Sequence, residues 1–96
     1  MTVQLSDWGV SLGSRSLGST IRKHLVQRTH DGSCIDISCA NVLAISNAFA
    51  DECFGKLIAD RGFDDFRRSF HFVHVSASFQ AVILNAINLR LSLPPF

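Results

Sequence analysis

The chain has 96 residues, of which 47% are hydrophobic and 18% charged, and nine Lys+Arg against eight Asp+Glu leave a formal net charge of +1. That is one domain, able to bury a core without disulfides or a metal, and too apolar for a disordered segment. The balance lacks the clustered basic excess of a nucleic-acid footprint, and no window approaches the ~20 apolar residues of a membrane span.

The opening residues, MTVQLSDWGV, contain neither a basic n-region nor a continuous apolar run, so no secretory signal is expected. Three cysteines, Cys34, Cys39 and Cys53, contain no CxxC pair. They are expected to be reduced, buried small hydrophobes, which points to the cytoplasm. The adjacent basic pairs Arg22-Lys23 and Arg67-Arg68 are expected on solvated helix or turn surface.

Val3, Leu5 and Trp8 suggest a first short strand, and Gly9 to Gly13 a turn. Leu17, Ile21, Leu25 and Arg28 recur at helical spacing, which predicts an amphipathic helix over 15–28 capped by Ser14 and closed near Gly32. Gly18 is expected to permit close helix packing. Ile35 and Ile37 mark a second strand. Residues 39–45 are apolar but loop-like. Ser46 or Asn47 then caps a second helix over about 48–60, whose apolar face is Phe49, Cys53, Phe54, Leu57 and Ile58. FDDFRR, residues 63–68, is a helical turn or loop. FHFVHV, residues 70–75, is the strongest strand, apolar enough to be covered on both faces. A third helix follows over about 78–90.

The order is β-α-β-α-β-α. It predicts a small α/β layer with a mostly parallel sheet of three or four strands and right-handed crossovers.

Metal sites favour tight ligand pairs on one element. Cys34 and Cys39 are five apart, and His71 and His74 point to opposite faces of a strand. Cys53 lies inside a helix on its apolar face beside two acids, which suits a core cysteine and not an activated thiolate. GSRSLG, residues 13–18, opens a helix but is no phosphate-loop pattern. Arg15, a cation at a helix start, opposes the dipole and so invites a partner, Asp51 or Glu52. Adjacent helical positions diverge by about 100°, so Asp51 and Glu52 are expected to diverge, one towards the sheet edge and the other to solvent. The pair therefore suits helix-start acids or a partner-binding role. No cofactor, metal or catalytic residue is expected.

SRSLGSTIRKHLV, IDIS, ISNAFADECFGKL and FHFVHVSASFQAVILNAINLR together resemble the STAS-like family of unknown function found in bacteria and phages. Ser14-Arg15 and Gly18, Asp36-Ile37-Ser38, the FADE block Phe49-Ala50-Asp51-Glu52 with Gly55-Lys56-Leu57, and the closing Ile87 to Arg90 stretch carry the resemblance, over roughly 10–91. It implies one STAS-like domain spanning 1–96, a small sheet with helices packed on one side, and an apolar tail at 92–96. It is also distantly similar to the anti-sigma-factor antagonists, which present a loop and the following helix start to a histidine-kinase-like ATPase. Asn47 stands where their phosphorylatable serine would be, and Ser46 is displaced by one.

The leading expectation is thus a non-catalytic regulatory module that contacts a protein partner through the loop 39–47 and the start of the second helix. Ser46, Asn47, Asp51, Glu52 and Arg15 are its partner-binding residues. The alternative is a phage or mobile-element effector that inhibits a host complex by binding it. A Cys/His-dependent enzyme is a third reading. Leu91, Leu93 and Phe96 are the candidate contacts of a homodimer.

Overall fold

The computed structural model describes residues 1–92. Three strands, β1 (Thr2–Gln4), β3 (Ile35–Ser38) and β5 (Phe70–Val73), form one sheet in the order β1-β3-β5. Every pairing is parallel, with Val3 opposite Ile37 and Ile37 opposite Phe72. Parallel strands laid down in chain order with right-handed crossovers carry every connection over the same face. The burial alternation shows the result. Val3, Ile35, Ile37 and Phe70 turn inward and are buried, whereas Thr2, Gln4 and His71 on the opposite face are exposed. The helices thus pack on one side, as in a STAS-like fold. The expectation that β5 is covered on both faces holds only in part: on the outer face His71 is exposed, whereas Val73 is half-buried beside the buried Ser38 of β3.

A second pairing was not legible as a strand. β2 (Ser11–Leu12) and β4 (Ala44–Ile45) form a two-residue parallel ladder inside segments read as turn and loop. Each feeds a helix directly. Ser14 Oγ accepts from Leu17 N to cap α1 (Arg15–Thr29), and Ser46 Oγ accepts from Phe49 N to cap the second helix. Ser46 also donates its hydroxyl to Gly13 O at 2.9 Å, and its amide bonds to Leu12 O. The starts of the two helices are therefore stitched side by side.

The second helix runs from α2 (Asn47–Ala50) through a π-helical turn (Asp51–Gly55) into α3 (Lys56–Arg61), where Gly62 turns the chain at φ 84°. Its predicted apolar face is all buried. Phe49 and Phe54 meet edge-on at 6.1 Å, and Phe54 meets Phe72 of the sheet at 5.1 Å. Residues 63–69 form a further helix, α4 (Phe63–Ser69), in place of the expected turn. Arg61 staples it: Nε pairs with Asp65, Nη1 donates to Thr29 Oγ1 on α1, and Nη2 to Ser69 Oγ. The last helix, α5 (Ala77–Ser92), buries Ile83, Ala86 and Ile87 against this core. Of the candidate dimer contacts, Leu91 is half exposed, and Leu93 and Phe96 lie outside the described residues.

α1 crosses the second helix at Gly18. A Cβ there would stand 3.0 Å from Glu52 Cβ, 3.0 Å from Phe49 O and 3.3 Å from Cys53 N. Two of those atoms are backbone of a packed helix and cannot swing aside. Gly18→Val is therefore expected to destabilise the fold by about 1–3 kcal/mol despite a better helix former replacing glycine. Urea denaturation against wild type checks this, and an unchanged midpoint would contradict the close crossing.

Candidate functional site

The close crossing at Gly18 sets α1 beside the acids of the π turn. Lys56 N donates to Asp51 O, five residues back, which is the widened turn's signature bond. Such insertions recur at functional sites. Here one atom reaches both acids of the turn: Arg15 Nη1 lies 2.9 Å from Asp51 Oδ2 and 3.4 Å from Glu52 Oε1. The expected pairing of Arg15 with an acid is thus present, with both acids at once. The expected divergence, one acid to solvent, is overturned, because Glu52 is 7% exposed and Asp51 is ion-paired.

Three more cations complete the cluster. Arg22 Nη1, two turns along α1 from Arg15, donates to Glu52 Oε2 at 2.9 Å and to Glu52 O at 2.6 Å. Lys56 Nζ reaches Glu52 Oε2 at 3.0 Å from the next turn. Arg90 of α5 grips Asp51 with both Nε and Nη2 at 2.9 Å. That fork is allowed by a second glycine: a Cβ on Gly55 would stand 2.9 Å from Asp51 Oδ1 and 3.1 Å from Arg90 Cγ. The network thus ties α1, the π turn, α3 and α5 together. Four cations face two carboxylates.

Electrostatics follow the geometry. Hydrogen bonds from Lys56 and then Arg22 hold the Glu52 carboxyl down to about 2, from an ordinary 4.5. Arg90, and after it Arg15, hold Asp51 below the usual carboxylate range. Both guanidiniums are raised in return, Asp51 being the main cause in each. Neither acid is poised near neutrality to move a proton, which general acid–base work needs.

Sequence reasoning missed Arg22 as a member. It stands seven residues from Arg15, hence on the same helix face, but reads as half of a solvated basic pair. In the structure its side chain is only 17% exposed. Lys56 is four residues beyond Glu52, a spacing that marks an ion pair. Arg90 had only the family pattern to point to it.

Beside the network lies an open cavity of about 400 Å³, lined by Arg15, Asn47, Ala48, Asp51, Leu89 and Arg90. Asn47 is exposed on its wall, Ser46 is spent on the cap and on Gly13, and Arg15 is more than half exposed. The loop before it turns at Asn41, φ 67°, and carries Leu43 three-quarters exposed.

The other candidates stay apart. Cys53 is fully buried, and burial pushes its thiol far above the usual range. Cys39 is buried and raised for the same reason. Cys34 is exposed, against the expectation for all three, because it precedes β3; its thiol donates to Arg68 O. His71 and His74 are both exposed. Among the described residues, no three His, Cys, Asp or Glu side chains group closely enough to hold a metal, and no helix is long and apolar enough to cross a membrane.

The family model described as "STAS-like domain of unknown function (DUF4325)" matches residues 18–80, roughly two thirds of the chain. The protein belongs to this family. The match takes in Gly18, both acids, Gly55 and Lys56, while Arg15 and Arg90 fall just outside it, within the wider 10–91 resemblance. No curated protein and no solved structure matches. Seven of the residues within the STAS-like resemblance, scattered along the chain, meet at one corner: Arg15, Gly18, Asp51, Glu52, Gly55, Lys56 and Arg90; Asp36-Ile37-Ser38 lies apart in β3.

Two outcomes are expected from this geometry. Because Glu52 is depressed in the folded state, its stabilisation is fully present above about pH 4.5 and is lost as pH falls towards 2. Glu52→Gln should cost roughly 1–3 kcal/mol at pH 7 and give a shallower loss of stability between pH 5 and 2.5, read from urea midpoints. An acid limb as steep as wild type would contradict the assignment. A thiol reagent should label Cys34 in the native protein and leave Cys39 and Cys53 unlabelled until urea is added; fast native labelling of Cys53 would contradict its burial.

Proposed function

We propose that this STAS-like domain is a non-catalytic regulatory module that reads a protein partner through the loop 39–47 and the start of the second helix. The observation that carries this is the corner itself: an open cavity at the start of the second helix, where two helix starts are stitched together, preceded by a loop that exposes Leu43. Rigid frames that present a loop and a few polar groups suit recognition. The five candidate residues divide by role. Asn47 and Arg15 face outward and make contact. Ser46, Asp51 and Glu52 hold the frame.

The absence of a catalytic role rests on the chemistry of the groups. The acids are saturated with cations, and Cys53 is buried far from a thiolate. The family resemblance suggests a partner with a histidine-kinase-like ATPase fold. The serine-displaced start of the second helix suggests binding without phosphorylation of this chain, since Ser46 Oγ is committed to the cap. Three unpaired cysteines suit a reducing compartment, and we take the cytoplasm as the place of action.

Affinity capture from the native cell, followed by identification, supplies the partner. Leu43→Asp combined with Asn47→Lys should then lower its affinity at least tenfold, about 1.4 kcal/mol, with the thermal midpoint unchanged. Equal retention by the folded double variant would sink the proposal.

A further inference from the structure

We infer that the partner segment read at this corner delivers an oxyanion, a carboxylate or a phosphate, into the cavity between Arg15 and Arg90. The inference rests on the interaction reading above and adds the chemistry by which the partner is recognised.

The first support is charge. Among the described residues, Arg15, Arg22, Lys56 and Arg90 pair only with Asp51 and Glu52, so the cluster keeps a positive excess. Arg22 and Lys56 are directed at Glu52. Arg15 and Arg90 share Asp51, so a net charge of +1 faces the cavity even with the Asp51 carboxylate in its wall.

The second support is which nitrogens are used. Among the described residues, both ion pairs of Arg15 run through Nη1. Arg90 spends Nε and Nη2 on Asp51. Guanidinium carries five N–H donors in a fixed fork. Nε and Nη2 of Arg15 and Nη1 of Arg90 retain donors for a further acceptor, and planar guanidinium matches the oxygens of carboxylate or phosphate. Asn47 adds a side-chain amide on the same wall.

The third support is shape and surroundings. At about 400 Å³ the cavity is larger than a single oxyanion group, so a whole side chain can enter from a partner. Ala48 and Leu89 form apolar parts of the wall. They give an entering side chain apolar surface to lie against beside the guanidiniums. Arg15 also occupies the first position of α1, where its charge opposes the helix dipole. Asp51 offsets that cost in part, and an entering oxyanion offsets it further.

The test needs no partner. Amide chemical shifts of the full chain are followed by NMR as inorganic phosphate is added at constant ionic strength. Saturable shifts are expected at Arg15, Asn47, Ala48, Leu89 and Arg90, with half-saturation on the order of millimolar. Arg15→Gln should weaken them at least fivefold. Asn47→Leu, which replaces the wall amide with an apolar side chain and removes no charge or ion pair of the frame, should do the same with an unchanged melting midpoint. That variant keeps the test valid if Arg15→Gln is poorly folded. Short peptides bearing one glutamate or one phosphoserine then distinguish the sources: a saturable response to either assigns the oxyanion, and a response to neither overturns the inference. Shifts that rise without saturation across the basic surface, Arg67 and Arg68 included, overturn it too, as does binding unaffected by both substitutions. Phosphate binding with no loss of partner in the Leu43→Asp, Asn47→Lys protein would sink the interaction reading and leave the cavity assignment standing. Partner loss without phosphate binding would do the reverse.

Discussion

Two adjacent carboxylates, Glu52 buried and Asp51 half-buried at the cavity wall, must be held within a 96-residue domain, and the architecture of the corner follows from that. A buried charge is tolerated only when it is paired and hydrogen-bonded. Glu52 therefore takes Arg22, Lys56 and Arg15, and Asp51 takes Arg90 and Arg15. Those cations come from α1, α3 and α5, so satisfying the acids fixes where three helices lie. The approach needs side-chain-free surface on both sides of the π turn. Gly18 provides it towards α1 and Gly55 towards α5. The glycines, the acids and the cations are parts of one solution.

That solution is compatible with the binding role proposed for the corner. A group that transfers protons needs a pKa near the working pH, and this network drives both acids the other way. What the ion pairs supply is rigidity. With the β2–β4 ladder and the Ser46–Gly13 bond, they hold two helix starts in register and leave Arg15, Asn47 and Leu43 outward. A preorganised surface loses less conformational entropy on binding than a mobile one.

The fold class was legible in the sequence because period and order are local signals. α1 was placed almost to the residue, since Ser14 is a strong cap and Leu17, Ile21 and Leu25 repeat at helical spacing. The apolar face of the second helix was also complete. Two kinds of feature were not legible. The two-residue strands β2 and β4 are too short for any period and exist only because each pairs with the other across the fold. The π turn depends on tertiary contact with Gly18 and Arg90, so an ideal 100° step sent Asp51 and Glu52 apart when they in fact share Arg15. The same non-local cause hid Arg22, whose burial comes from the acid it meets 30 positions away. In this chain, the FADE block with its outlying arginines is better read as a geometric unit than as a linear motif.

The central claim is that the Asp51–Arg90 fork is coupled across the fold. A double-mutant cycle with Asp51→Ala, Arg90→Ala and the pair, read by urea denaturation at pH 7, tests it most directly. A part-buried, bidentate pair should show a coupling of about 1 kcal/mol or more, with the double variant less destabilised than the sum of the singles. A coupling within about 0.3 kcal/mol of zero would place the fork among inert surface ion pairs and contradict the account.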